Sequence, residues 1–250
     1  MLKIIKYEWM HRFKFFLAGF VVCILLNIEL VRNIINKNQG HQGTILYVGI
    51  LIALAFAFGI GLGIDHIRRM YKSLFTEEGY FLFTTPLSGY GILGGKLITI
   101  ILECLGITFL GGILFFIDYK ILLNRFPEIE ITSEIPAEIV INLFKFFMLI
   151  LFGYITLLLM IYLAMVLARS IFSAVRYGKL LSFIFFIMIA QVVGKITSYI
   201  GKATETVVYV EMYGDAHFPT VTNEYFLLQI CIVGALFMIT GYLIDRKINI

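Results

Sequence analysis

Few side chains in this sequence are of the types that do chemistry, and they are dispersed. Glu103 is the one acidic residue well inside a long apolar run. A carboxylate there is costly to bury in lipid, so it needs either a function or a bonding partner. Glu77 and Glu78 form an acidic pair in a polar stretch, and would need histidines beside them to hold a metal. The four histidines, His11, His41, His66 and His217, fall in predicted loops or near the chain ends and do not converge. Cys23, Cys104 and Cys231 each stand alone inside an apolar run. Their odd number and isolation argue against a disulfide framework or a metal site, and they read as small packing hydrophobes. Gly94-Gly95-Lys96 echoes a phosphate-binding loop, but that loop needs G-x-x-x-x-G-K-[ST] between a strand and a helix. Tyr90 stands where its first glycine belongs and Leu97 follows the lysine, so this chain is not expected to bind ATP itself.

Composition decides what must position these residues. Hydrophobic residues make up 60% of the chain and charged residues 14%, with a mean hydropathy of +0.95. Soluble domains carry roughly 25% charged and 45–50% apolar residues. The expectation is an all-α integral membrane protein. Its net charge of +4 is scattered over short loops, which points away from a nucleic-acid partner.

Apolar runs at about 15–31, 44–64, 97–117, 141–167, 180–200 and 225–244 predict six transmembrane helices in a single domain over residues 1–250. The run at 44–64 alone reaches about 30 Å at 1.5 Å per residue, the thickness of a hydrocarbon core. Within it, Gly59 and Gly63 form a GxxxG pair suited to close helix approach. Ahead of the first run, Leu2, Ile5, Trp9 and Phe13 share one helical face, with the basic residues mostly elsewhere. That pattern predicts an N-terminal interfacial helix. The acidic stretch 118–138 is expected to be a loop, and 207–213 has a β-like composition. Glu29 and Lys195 lie near the outer ends of their runs, where snorkelling accounts for both.

Six spans put both termini on one side, and basic residues choose the side. Thirteen of the twenty Lys and Arg fall in the N-terminal segment, the 65–96 stretch, the loop between the fourth and fifth runs, and the C-terminus. Both termini are therefore expected in the cytoplasm of a multi-pass plasma-membrane protein.

The stretch from Asp65 to Lys96 is the polar segment most unlike its surroundings. Ile67, Met70, Tyr71, Leu74 and Phe75 share one helical face, and Arg68, Arg69, Lys72, Ser73 and Thr76 the other. Asp65 could cap the start of such a helix and Gly79 its end. Pro86 then turns the chain, and Ser88 could cap a further helix leading into the third span.

This stretch resembles the first cytoplasmic loop of the permease subunits of ABC-2 type exporters, in particular those of low-GC Gram-positive bacteria. The matching residues are Tyr71, Glu77, Glu78, Gly79, Tyr80, Thr84, Pro86, Ser88, Ile92, Leu93 and Lys96. The resemblance implies a coupling helix that docks in a cleft of a separate ATPase dimer, with Arg68, Arg69, Met70, Tyr71, Leu74, Phe75, Glu77, Glu78 and Tyr80 at the contact. It implies a second permease subunit, of the same or a homologous chain, with Glu103, Gly59 and Gly63 as candidates for the translocation path or the seam. ATP and magnesium would belong to the partner, leaving this chain without a cofactor or an enzymatic activity. The implied cargo is a peptide, an antibiotic or a lipid-like molecule, and relatives are associated with resistance to antimicrobial peptides. Leu87-Ser88-Gly89-Tyr90-Gly91 only echoes the LSGGQ signature of ABC ATPases. An intramembrane metalloprotease with a Glu-Glu-x-x-x-Arg motif would need arginine where Leu82 stands. The alternatives are a secondary transporter and an accessory or sensing membrane protein.

Overall fold

The computed structural model describes residues 17–29, 31–32, 41–76, 88–125, 137–171, 178–203, 207–211 and 217–247. Among these the fold is helical apart from one hairpin. The helices are α1 (Leu17–Glu29), α2 (His41–Phe75), α3 (Gly89–Arg125), α4 (Ala137–Ile171), α5 (Gly178–Ala203) and α6 (Asn223–Lys247). Between α5 and α6 the strands β1 (Val207–Glu211) and β2 (His217–Val221) pair antiparallel, with Val207 opposite Val221 and Glu211 opposite His217. Among the described residues, four segments are long and apolar enough to cross a membrane: Gly89–Ile121, Phe144–Ile171, Gly178–Gly201 and Asn223–Arg246. These mark a membrane-embedded chain and coincide with the third to sixth predicted runs. The described part of α1 is shorter. The predicted interfacial helix at 1–14 lies outside the described residues.

Several helices outrun their predicted limits. No separate helix starts at Asp65: α2 runs unbroken from His41 to Phe75. Between Ile64 and Phe75 there is neither glycine nor proline to stop it. Asp65 also stands three and four residues ahead of Arg68 and Arg69, a spacing that supports a continuing helix rather than a cap. Thr76 closes it, its N–H and its hydroxyl both donating to the Lys72 carbonyl. With 35 residues, α2 is about 52 Å long, well beyond a hydrocarbon core. Likewise α3 begins at Gly89 and continues to Arg125, so Asp118 and Lys120 are helical rather than in a loop.

The chain divides into two compact units, residues 1–66 with 98–133 and residues 67–97 with 134–250. The boundary falls inside α2, after His66, and inside α3, after Leu97. In the first unit, the Phe58 ring of α2 lies so close to Gly19 of α1 that a Cβ there would meet it at 2.7 Å.

The second unit is built around α4. Ile155, Leu158, Leu159, Tyr162, Leu163, Ala164, Met165 and Val166 are all buried, covering more than one helical face. α5, α6 and strand β2 pack on it, and Phe152 meets Phe226 of α6 edge-to-face at 5.3 Å. Hydroxyls within these helices stay paired by donating one turn back: Thr156 to the Phe152 carbonyl, Ser182 to Gly178, Thr197 to Val193 and Thr240 to Leu236. In lipid no water is present to do this for them.

Candidate functional site

The described parts of the Asp65–Lys96 segment are the last turns of α2 and the first turns of α3. Both belong to the second unit from Ile67 to Leu97. The N-terminus of α3 is capped as its sequence predicts. The Gly91 N–H donates to Ser88 Oγ at 3.2 Å, and the Ile92 N–H to the Ser88 carbonyl at 3.0 Å. The adjoining Gly89 and Tyr90 fasten this end to α6. The Gly89 N–H, one of the donors a helix start leaves unpaired, donates to Asp245 Oδ1 at 2.9 Å. A Cβ on Gly89 would lie 2.8 Å from the Gly241 carbonyl oxygen, and one on Gly241 would lie 2.4 Å from the Tyr90 ring. Glycine at both positions lets α3 and α6 touch. Leu87-Ser88-Gly89-Tyr90-Gly91 therefore has a packing role through its last four residues. Nothing in the sequence marked Gly241 and Asp245 as its counterparts.

The apolar face of residues 67–75 is already occupied by its own chain. Met70 and Leu74 are buried. Tyr71 and Phe75 stack with ring centroids 4.7 Å apart. The Arg169 guanidinium at the end of α4 lies 5.7 Å from the Phe75 centroid, and Lys179 Nζ at the start of α5 lies 5.5 Å from that of Tyr71. A Cβ on Gly178 would come within 3.0 Å of the Phe75 ring. Ser73, expected on the outward face, is buried and donates to the Arg69 carbonyl at 2.8 Å. Arg68 is exposed, and Arg69 and Lys72 are half-buried. Glu77, Glu78, Gly79, Tyr80, Thr84 and Pro86 lie outside the described residues.

Glu103 belongs to the first unit, and the structure gives it a partner that sequence reasoning missed. Its Oε2 and His66 Nε2 share a hydrogen bond of 2.6 Å, with both side chains almost completely buried. The sequence pattern places His66 in a polar loop. The continuity of α2 instead places it on a helix, facing Glu103 of α3. Reading α2 straight through Asp65 would have exposed the pairing. Thr99, one turn before Glu103, is also buried. Further along α3, Asp118 Oδ2 accepts from Asn27 Nδ2 of α1 at 2.6 Å. The two ties are fifteen residues apart on α3, about 22 Å along its axis. Gly59 has open space where a Cβ would stand, and Gly63 is half-buried.

Chemically, the arrangement offers a buried His–Glu pair that can hold and share a proton, and a helical end whose cations rest on aromatic rings. Comparison with family models, with curated proteins and with solved structures finds no match.

Proposed function

We propose that this chain is the six-span membrane permease subunit of an ATP-driven ABC-2 type exporter, working with a second permease subunit and a separate ATPase dimer. The observation that carries the reading is the motif from Tyr71 to Lys96, a polar segment between two apolar helices on the side richest in Lys and Arg. Both termini and this segment would be cytoplasmic. The exported molecule would be a peptide, an antibiotic or a lipid-like compound.

The packing suggests a division of labour within the motif. Arg68, Glu77, Glu78 and Tyr80 would grip the ATPase. Met70, Leu74, Tyr71 and Phe75 would transmit its movement to α4 and α5, on which the aromatic pair rests through Arg169, Gly178 and Lys179. The charged contacts would act more on docking rate and salt dependence than on affinity.

The test is co-purification with an ABC ATPase expressed alongside the chain. Arg68→Glu combined with Glu77→Lys and Glu78→Lys should release the ATPase, increasingly so at higher salt, and leave thermal stability in detergent unchanged. Retention of the ATPase by this triple variant would remove the main support. A second reading, a proton-coupled secondary transporter, is favoured by the buried His66–Glu103 pair, because ionisable groups at membrane depth often serve proton pathways. It predicts that no ATPase co-purifies with the wild-type chain and that transport in vesicles follows an imposed proton gradient.

A further inference from the structure

Several cations of the second unit stand at the ends of membrane-spanning helices, among them Arg169 near the end of α4, Lys179 in the first turn of α5, and Arg246 and Lys247 at the end of α6. Only residues 172–177 join α4 to α5. Six residues reach at most about 21 Å, which is too short to cross a hydrocarbon core of about 30 Å. Arg169 and Lys179 therefore lie at the same membrane face.

Arg169 and Lys179 share one aromatic platform, whereas Arg246 lies over the single ring of Tyr242 at 5.7 Å. Arg169 and Lys179 each lie over one ring of the stacked pair Phe75–Tyr71, at 5.7 and 5.5 Å. Such contacts hold a cation at the height of the interfacial aromatic belt. Among the described residues, no carboxylate pairs with either of them. The first turn of α5 has no acidic residue, so Lys179 adds to the positive end of that helix instead of offsetting it. Two cations at the ends of membrane-spanning helices, held by rings and, among the described residues, paired with no carboxylate, call for an anion supplied by the membrane.

We propose that Arg169 and Lys179, seated on Phe75 and Tyr71, bind the phosphate of an anionic lipid headgroup. The inference rests on membrane embedding alone and does not depend on the transport reading. The test is thermal unfolding of the purified full chain in uncharged detergent, doped with phosphatidylglycerol or with phosphatidylcholine at equal mole fraction. Phosphatidylglycerol should raise Tm more than phosphatidylcholine. Arg169→Gln with Lys179→Gln should abolish that excess, whereas Arg169→Lys with Lys179→Arg should keep most of it. The charge-matched pair Arg246→Gln with Lys247→Gln should also keep it. Equal shifts from the two lipids, an excess that survives the first Gln pair, or an equal loss in the Arg246/Lys247 pair would each overturn the seat. So would reproduction of the shift by inorganic phosphate at matched ionic strength, because the site would then belong to a soluble anion. Survival of the excess in the first Gln pair would instead leave these cations to an acidic protein partner.

Discussion

The two units solve the same problem by different means. In the second, α4 is enclosed by apolar side chains and about half of its spanning window is inside the protein (56%), while α5 and α6 around it keep most of theirs outside (0% and 22%). Over the spanning window of α3, most of which belongs to the first unit, the figure is 11%. Phe109 and Phe115 there are about 70% exposed (70% and 73%). Among the described residues, the contacts that link the helices of the first unit include His66 with Glu103, Asn27 with Asp118, and Phe58 against Gly19. In water so much exposed apolar surface would be a liability. In lipid, tails solvate it as well as leucine would, and helix association depends on close packing and interhelical hydrogen bonds. A few polar ties can therefore do in one unit what an apolar core does in the other.

That contrast can be broken deliberately. The largest effect is expected from Glu103→Ala, which takes from buried His66 the carboxylate it is hydrogen-bonded to and should cost about 3–5 kcal/mol. Joint replacement by leucine, His66→Leu with Glu103→Leu, should recover most of the loss, because both ends of the hydrogen bond are then replaced together by apolar groups. Unfolding in denaturing detergent would measure both. A cost under about 1 kcal/mol for Glu103→Ala would mean that the tie does not hold the unit together.

Next in size is Leu159→Ala at the centre of α4, expected to cost about 2–5 kcal/mol through the cavity it leaves. Phe183→Ala on the exposed side of α5 should change stability by less than about 0.5 kcal/mol. Similar losses at the two positions would contradict the assignment of α4 as the core. The smallest effect sharpens the comparison at the start of α3. Ser88→Ala removes the acceptor for the Gly91 N–H and should cost about 1 kcal/mol. It should also speed amide exchange at Gly91 while leaving the middle of α3 protected.

Much of this organisation was legible beforehand. The third to sixth spans follow directly from runs of apolar residues, because length and hydropathy alone govern them. The Ser88 cap was legible because a hydroxyl just ahead of a helix has one obvious donor to satisfy. Strand β1 falls where Val207 to Tyr213 has β-like composition. What misled was punctuation. Asp65 resembles a cap and also a mid-helix residue paired in spacing with arginines, and only the tertiary structure decides between them. The wrong choice moved His66 into a loop and concealed the partner of Glu103. The same kind of choice assigned Asp118 to a loop when it lies on α3 bonded to Asn27. Contacts such as Tyr90 against Gly241 are long-range, and no local pattern encodes them.

The bond from Gly89 to Asp245 also bears on how the chain is made. Its partners are 156 residues apart in sequence, and translation at roughly 5–20 residues per second separates their synthesis by roughly 10–30 s. Throughout that interval the first amide of α3 lacks the carboxylate that finally receives it. The Ser88 cap can form at once, but the tie to α6 waits until α6 has been made, so a late helix completes an earlier joint. A ribosome stalled before Asp245 would leave that joint open.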